Sequence, residues 1–189
     1  MMNNKKIKDF SRRDFLWTLS GLAAAPAVFS QTLVAGQDKP KIPITELFSP
    51  EEWERLKKSV MASEIDGYFG HGYSCAEAML LVALRRLELD EKTVWASAAY
   101  GGGLGQKDLC GFLTGGIMAV GMADGKMPLE RREAKKLCSA VAKEFWEWWK
   151  SEYPLRCECI VIKEEDRAKC RPMGPRVAAE LEELLTRFA

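Results

Sequence analysis

Ser74-Cys75-Ala76-Glu77-Ala78-Met79-Leu80-Leu81-Val82-Ala83-Leu84-Arg85-Arg86-Leu87 decides the fold class. Serine followed three residues later by glutamate is a capping box, in which the two side chains satisfy backbone amides that a first helical turn leaves open. Met79, Leu80, Ala83, Leu84 and Leu87 then recur at helical spacing. The same pattern repeats on either side. Ser49-Pro50-Glu51-Glu52 is another capping box, with proline at the first helical position, and it opens an amphipathic helix carrying Trp53, Leu56, Val60 and Ile65. Asp90 caps a helix through Val94 and Ala98 that ends in Gly101-Gly102-Gly103, and Asp108 caps a glycine-rich helix ending near Asp124-Gly125. Pro128 starts a long helix to about Tyr153, with a stripe of Ala134, Leu137, Cys138, Val141, Phe145, Trp148 and Trp149. A connection from Leu155 to Gly174 leads to a last helix with Val177, Leu181, Leu184 and Phe188. Only Cys159-Ile160-Val161-Ile162 reads as extended, and it is too short to make a sheet. The expected fold is all-α, a compact bundle of about five to six helices.

Upstream of these helices lies Ser11-Arg12-Arg13-Asp14-Phe15-Leu16, a polar residue, two arginines, a free position and two apolar residues. With Lys5, Lys6 and Lys8 before it and a mostly apolar stretch to Phe29 after it, this matches a twin-arginine export signal. The stretch is broken by Pro26 and is shorter than the roughly 20 apolar residues a membrane span needs. Leu33-Val34-Ala35 offers a small-residue cleavage point. The expected division is a signal peptide and linker at 1–40 and one helical cysteine-containing redox domain at 41–189. Export by the twin-arginine machinery would place the protein in the periplasm or another extracytoplasmic space, tethered to the membrane if the leader stays uncleaved. The competing reading is a basic amphipathic helix of a cytosolic protein. Across the 189 residues, 28 Lys and Arg stand against 27 Asp and Glu, a net charge of +1, so there is no electrostatic case for nucleic acid.

The six cysteines carry the chemistry. Cys75 falls in the first turn of its helix and Cys110 in the first turn of another. Helix N-termini present open amides and a positive dipole end, which favour thiolate over thiol. The two positions therefore fit metal ligands or redox nucleophiles, against the plainer reading of two small buried hydrophobes. Cys157 and Cys159 are one residue apart, and Cys170 follows. In an extended segment residues two apart face the same side, so both sulfurs can reach one centre. That polar connection needs an anchor, which a metal cluster or a disulfide would supply. Cys138 sits mid-helix in an apolar stripe and reads as core packing.

The spacings also exclude. There is no Cys-x-x-Cys, hence no thioredoxin-like pair or zinc ribbon, and no Cys-x-x-Cys-His, hence no covalently attached c-type haem. Ferredoxin spacings are absent as well. Any cluster site must be assembled from distant segments, a situation that export after folding suits. His71 is the single histidine, which gives triad catalysis little support, and it reads as exposed or structural. Glycines crowd Cys110: Gly101, Gly102, Gly103 and Gly105 before it, and Gly111, Gly115, Gly116 and Gly121 after it. They fit either close approach to a cluster or partner, or tight helix packing. Trp146 lies off the core stripe and marks a partner or dimer surface.

Gly72-Tyr73-Ser74-Cys75-Ala76, Cys110-Gly111-Phe112-Leu113-Thr114-Gly115-Gly116, Cys157 and Cys170 together resemble the putative redox-active protein family named for its C_GCAxxG_C_C cysteine pattern. The resemblance spans residues 65–186. The chain departs from the named pattern at Leu109 and Gly111, and Cys138 and Cys159 are additional. The family is similar to the iron–sulfur part of split-Soret cytochrome c, an electron-transfer protein with a di-iron cluster, whose haem motifs are missing here. The resemblance implies an iron–sulfur cluster, of [2Fe–2S] type, held by Cys75, Cys110, Cys157 and Cys170 with Cys159 as the substitute for Cys157. It implies no haem, one-electron transfer with a redox partner protein rather than substrate turnover, and leaves a homodimer open. Two other readings stand beside it: a thiol–disulfide redox protein using Cys75 and Cys110, and a disulfide-stapled interaction domain without catalysis.

Overall fold

Ser49 caps helix α1 (Pro50–Leu56), its hydroxyl accepting the Glu52 amide at 3.2 Å. The computed structural model describes residues 43–153, 155 and 170–188. The Glu52 carboxylate is drawn away to Arg176, which donates from Nε at 2.6 Å and from Nη2 at 3.0 Å. One helix was expected to run on through Ile65, but the chain breaks after Leu56 and restarts as α2 (Val60–Glu64). Ser59 is the cause. Its hydroxyl accepts the Ala62 amide at 3.0 Å and donates to Glu182 Oε2 at 2.5 Å, while the same carboxylate oxygen accepts the Met61 amide at 3.1 Å. Side chains that satisfy amides in this way begin a new helix.

A 3-10 turn (Ile65–Gly67) and a tight loop lead to α3 (Cys75–Arg86), where both halves of the predicted capping box are present. The Glu77 amide donates to Ser74 Oγ at 3.4 Å and the Ser74 amide to Glu77 Oε2 at 2.9 Å. Cys75, Ala76 and every residue from Ala78 to Leu84 are buried, so α3 is surrounded on all sides and forms the centre of the bundle.

After Asp90, whose carboxylate accepts the Lys92 amide at 3.0 Å, the expected helix is a 3-10 helix (Glu91–Tyr100). Three residues per turn bury Val94 and Ser97 and turn Ala98, the predicted inward partner of Val94, to the surface. The chain then takes four consecutive left-handed residues, Gly102, Gly103, Leu104 and Gly105, at φ 69, 62, 58 and 66°. A Cβ on Gly103 would stand 2.5 Å from the Asp108 nitrogen, and the Asp108 amide donates back to the Gly103 carbonyl at 3.0 Å. Because Asp108 closes that loop, it does not cap the next helix as predicted. Helix α4 (Gly111–Asp124) starts three residues later, with Cys110 as its N-cap.

Helix α5 (Arg131–Glu152) begins three residues beyond the predicted Pro128, where the Glu130 carbonyl accepts the Glu133 and Ala134 amides, each at 2.9 Å. Ala134, Val141, Phe145 and Trp149 of its stripe are buried, and Leu137, Cys138 and Trp148 pack against the core. Helix α6 (Met173–Leu185) closes the bundle with Val177, Ala178 and Leu181 fully covered. Burying one such leucine or valine contributes about 1.5–3 kcal/mol. Polar ties pin α6 along its length: Arg171 to Asp66, Arg176 to Glu52, Glu182 to Arg86, and Arg187 to Glu144. The described residues contain no strand, only the isolated bridge between Phe69 and Tyr73, so the all-α expectation holds. The extended stretch expected at 159–162, the signal features and the boundary at residue 40 lie outside the described residues.

Candidate functional site: three buried cysteines of one core cluster

Three cysteines, Cys75, Cys110 and Cys170, are 6, 4 and 3% exposed and belong to the same core cluster. Two of them stand at the start of a helix, while Cys170 is itself helical and a turn at Arg171-Pro172 separates it from α6. Cys75 is the first residue of α3, Cys110 is the cap of α4, and Cys170 lies three residues before α6. Helix stability alone would favour Ser, Thr, Asp or Asn at a cap, and Cys110 makes no side-chain cap hydrogen bond, so capping does not account for its thiol.

The first turns of α3 and α4 are in backbone contact. A Cβ on Gly111 would overlap Cys75 Sγ and stand 2.8 Å from the Ala76 nitrogen. One turn on, a Cβ on Gly115 would stand 2.5 Å from the Ala76 carbonyl oxygen. These two glycines let the helix starts that carry Cys75 and Cys110 touch. The two readings of the glycine-rich segment are thereby separated at Gly111 and Gly115, which serve close helix packing. Gly116 does the same against Phe145, whose Cε1 would lie 2.5 Å from an added Cβ. Two positive dipole ends in contact make this corner favourable for negative charge, whether thiolate or a bound anionic group.

Aromatic packing joins the start of α6, four residues beyond Cys170, to the segments that carry the other two cysteines. Phe112, two residues after Cys110, has its ring 5.0 Å from that of Phe69. Phe69 forms the bridge with Tyr73, two residues before Cys75. On the α6 side a Cβ on Gly174 would lie 3.4 Å from Phe112 and 3.6 Å from Ile65. Arg171, adjacent to Cys170, grips Asp66, adjacent to Ile65, from Nε to Oδ1 and from Nη2 to Oδ2, both at 2.7 Å. Neither Asp66 nor Arg171 stood out in the sequence, since two residues 105 apart carry no spacing signal.

The Cys110 amide donates to the Leu155 carbonyl at 3.3 Å. The segment bearing the remaining predicted ligands therefore leaves the described structure beside Cys110. Cys157 and Cys159 themselves lie outside the described residues. Among the described residues no three His, Cys, Asp or Glu side chains form a group that could hold a metal ion.

Cys138 is only partly covered and stands mid-helix on α5, where burial first and the Asp124 carboxylate second push its thiol pKa up. That is the environment of a packing residue, as the sequence implied. His71 is exposed, as expected, and its amide donates to the Tyr68 carbonyl at 2.9 Å. Trp146, read as a surface marker, is partly covered by its own chain and packs on the core. No helix among the described residues is long and apolar enough to cross a membrane.

No curated protein and no solved structure matches the chain. A family model does match, over residues 73–184, described as putative redox-active protein (C_GCAxxG_C_C). That span begins at the loop before Cys75, takes in the glycine-rich start of α4 and ends on α6. With more than half of its length matched, the chain belongs to the C_GCAxxG_C_C family of redox-active proteins.

Proposed function

We propose that the protein is an exported electron carrier whose Cys75, Cys110 and Cys170, joined by Cys157 or in its place Cys159, hold one iron–sulfur cluster of [2Fe–2S] type. The observation that carries this reading is the burial of three cysteines within one core cluster, two of them at helix starts that touch. The donor set fits the group, because thiolates are the ligands such clusters take, and helix N-termini offset the negative charge of a thiolate-bound centre. The hydrogen bond from the Cys110 amide to the Leu155 carbonyl supports a fourth ligand from the segment that follows. When bound, the cluster would supply one-electron transfer. The chain's own part is to keep the thiolates dry and oriented and to tune the potential through amides and burial.

The twin arginines at Arg12 and Arg13 fit this function, since a site drawn from distant segments is best filled as the chain folds, before export. A redox partner protein outside the cytoplasm would give or take the electron. Anaerobic purification followed by an absorption spectrum and metal analysis tests the reading. Iron with inorganic sulfide and visible charge-transfer bands are expected, whereas zinc, or neither metal, would sink it.

One observation favours a second reading. Cys75 Sγ lies in the space a Cβ on Gly111 would need, and Gly111 is the residue next to Cys110, so the two cysteines sit on touching helix starts, as a thiol–disulfide pair would require. A colourless, metal-free protein that gains two thiols on reduction would select that chemistry instead.

A further inference from the structure

We propose that Asp66 and Arg171 are positioning residues for the redox centre: their ion pair fixes the backbone at Cys170 against the turn that leads to Cys75, and keeps a matched charge pair at the residue next to Cys170. The inference rests on the reading of the buried cysteines as that centre. Two parallel N–H to oxygen bonds at 2.7 Å hold a guanidinium in one orientation, which a single contact would not. The partners' side chains are 20 and 18% exposed. The other ties of α6 are more open on at least one side: 34 and 26% for Arg176 with Glu52, 49 and 13% for Arg86 with Glu182, and 47 and 50% for Arg187 with Glu144. The best-covered pair is thus the one whose arginine adjoins Cys170.

Both ends of the pair are embedded in the packing that surrounds the cysteines. Ile65, beside Asp66, lies against the start of α6 at Gly174. The Ile65 carbonyl accepts the Tyr68 and Phe69 amides at 3.1 and 2.9 Å, which shapes the loop toward Cys75. Phe69 in turn meets Phe112 on the Cys110 side. Releasing the pair would loosen Cys170 relative to this turn while leaving the contact of α3 with α4 in place. Removing either side chain would also change the net charge next to Cys170.

The two effects have separate readouts. In full-length protein, reduced and stripped of metal by a chelator, Asp66→Asn should speed iodoacetamide alkylation of Cys170 by about tenfold, equivalent to about 1.4 kcal/mol of easier local opening, with Cys75 and Cys138 unchanged. In the cluster-loaded protein, Asp66→Asn removes a negative charge and should raise the midpoint potential, whereas Arg171→Gln removes a positive charge and should lower it. Opposite shifts are expected, because a purely structural disturbance would move both variants the same way. Shifts of one sign, or a Cys170 rate within twofold of the parent, would overturn the proposal. Should Asp66→Asn fail to fold, Arg171→Lys keeps the charge but loses the paired geometry, and parent-like protection of Cys170 in that variant would be equally fatal. If the parent binds no iron, the electron-carrier reading fails, yet the alkylation of the metal-free chain still judges the clamp.

Discussion

Cys75 Sγ occupies the space that a side chain on Gly111 would need, so the start of α4 rests directly on the start of α3. The cap of one helix and the first residue of the other are both cysteines, which makes this contact the nucleus of the site.

Gly111→Ala must therefore either displace Cys75 or separate the two helix starts. A destabilisation of about 1–3 kcal/mol is expected from overpacking, together with loss of any visible absorption. Gly121→Ala, in the same helix, meets nothing within 4 Å and should stabilise by up to about 1 kcal/mol through helix propensity. Urea unfolding of the two variants checks the pair, and similar effects at both positions would contradict the packing assigned here.

Replacing Cys75, Cys110 or Cys170 with serine should abolish the cluster absorption, whereas Cys138→Ser should leave it intact. The contrast follows from burial of the three against a half-covered position within α5. Equal loss in all four variants would remove the ligand assignment.

Stability should fall as the solution is acidified through the carboxylate range. Burial would raise the Glu182 pKa, but hydrogen bonds from Ser59 and the Met61 amide and the pairing with Arg86 together hold it below its ordinary 4.5. Arg176 lowers that of Glu52 in the same way. A carboxylate with a lowered folded value contributes stability in full above its unfolded value, and that contribution is lost as pH falls through the folded one. Glu182→Gln should be less stable than the parent at pH 7 and show a shallower loss between pH 5 and pH 3, read from thermal midpoints. Parallel profiles would rule out Glu182 as a source of the acid sensitivity.

Ser59→Ala should cost about 1 kcal/mol, within the range for a lost N-cap, because its hydroxyl both caps α2 and donates to Glu182. Chemical denaturation of this variant beside Ser63→Ala, whose exposed hydroxyl donates to the Val60 carbonyl within one turn, isolates the effect. Equal stability of the two would remove the explanation offered for the break after α1.

Most helices could be read from the chain because their signals are local. Ser74 and Glu77 state the start of α3 within four residues, and the stripe of α5 repeats an apolar residue every three or four positions. The misreadings arose where a distant group intervened. Glu182 restarts a helix at Ser59 from more than a hundred residues away, and the fold-back of Gly103 onto Asp108 removes that aspartate from the cap. Val94 and Ser97 follow a three-residue period that apolar spacing alone does not separate from an α-helix.

By itself the sequence determined an all-helical chain, a leader of twin-arginine type as an expectation, and Cys75 and Cys110 as thiols at helix starts. Those conclusions need only capping chemistry and periodicity, which act over a few residues. Tertiary structure alone decided that Cys110 is itself a cap, that Cys170 is buried in the same core cluster, and that Asp66 and Arg171 tie the last helix to the loop before Cys75. Such contacts join residues far apart in the chain, and they form because the buried faces of α3, α4 and α6 have one another to cover, a condition no local pattern records.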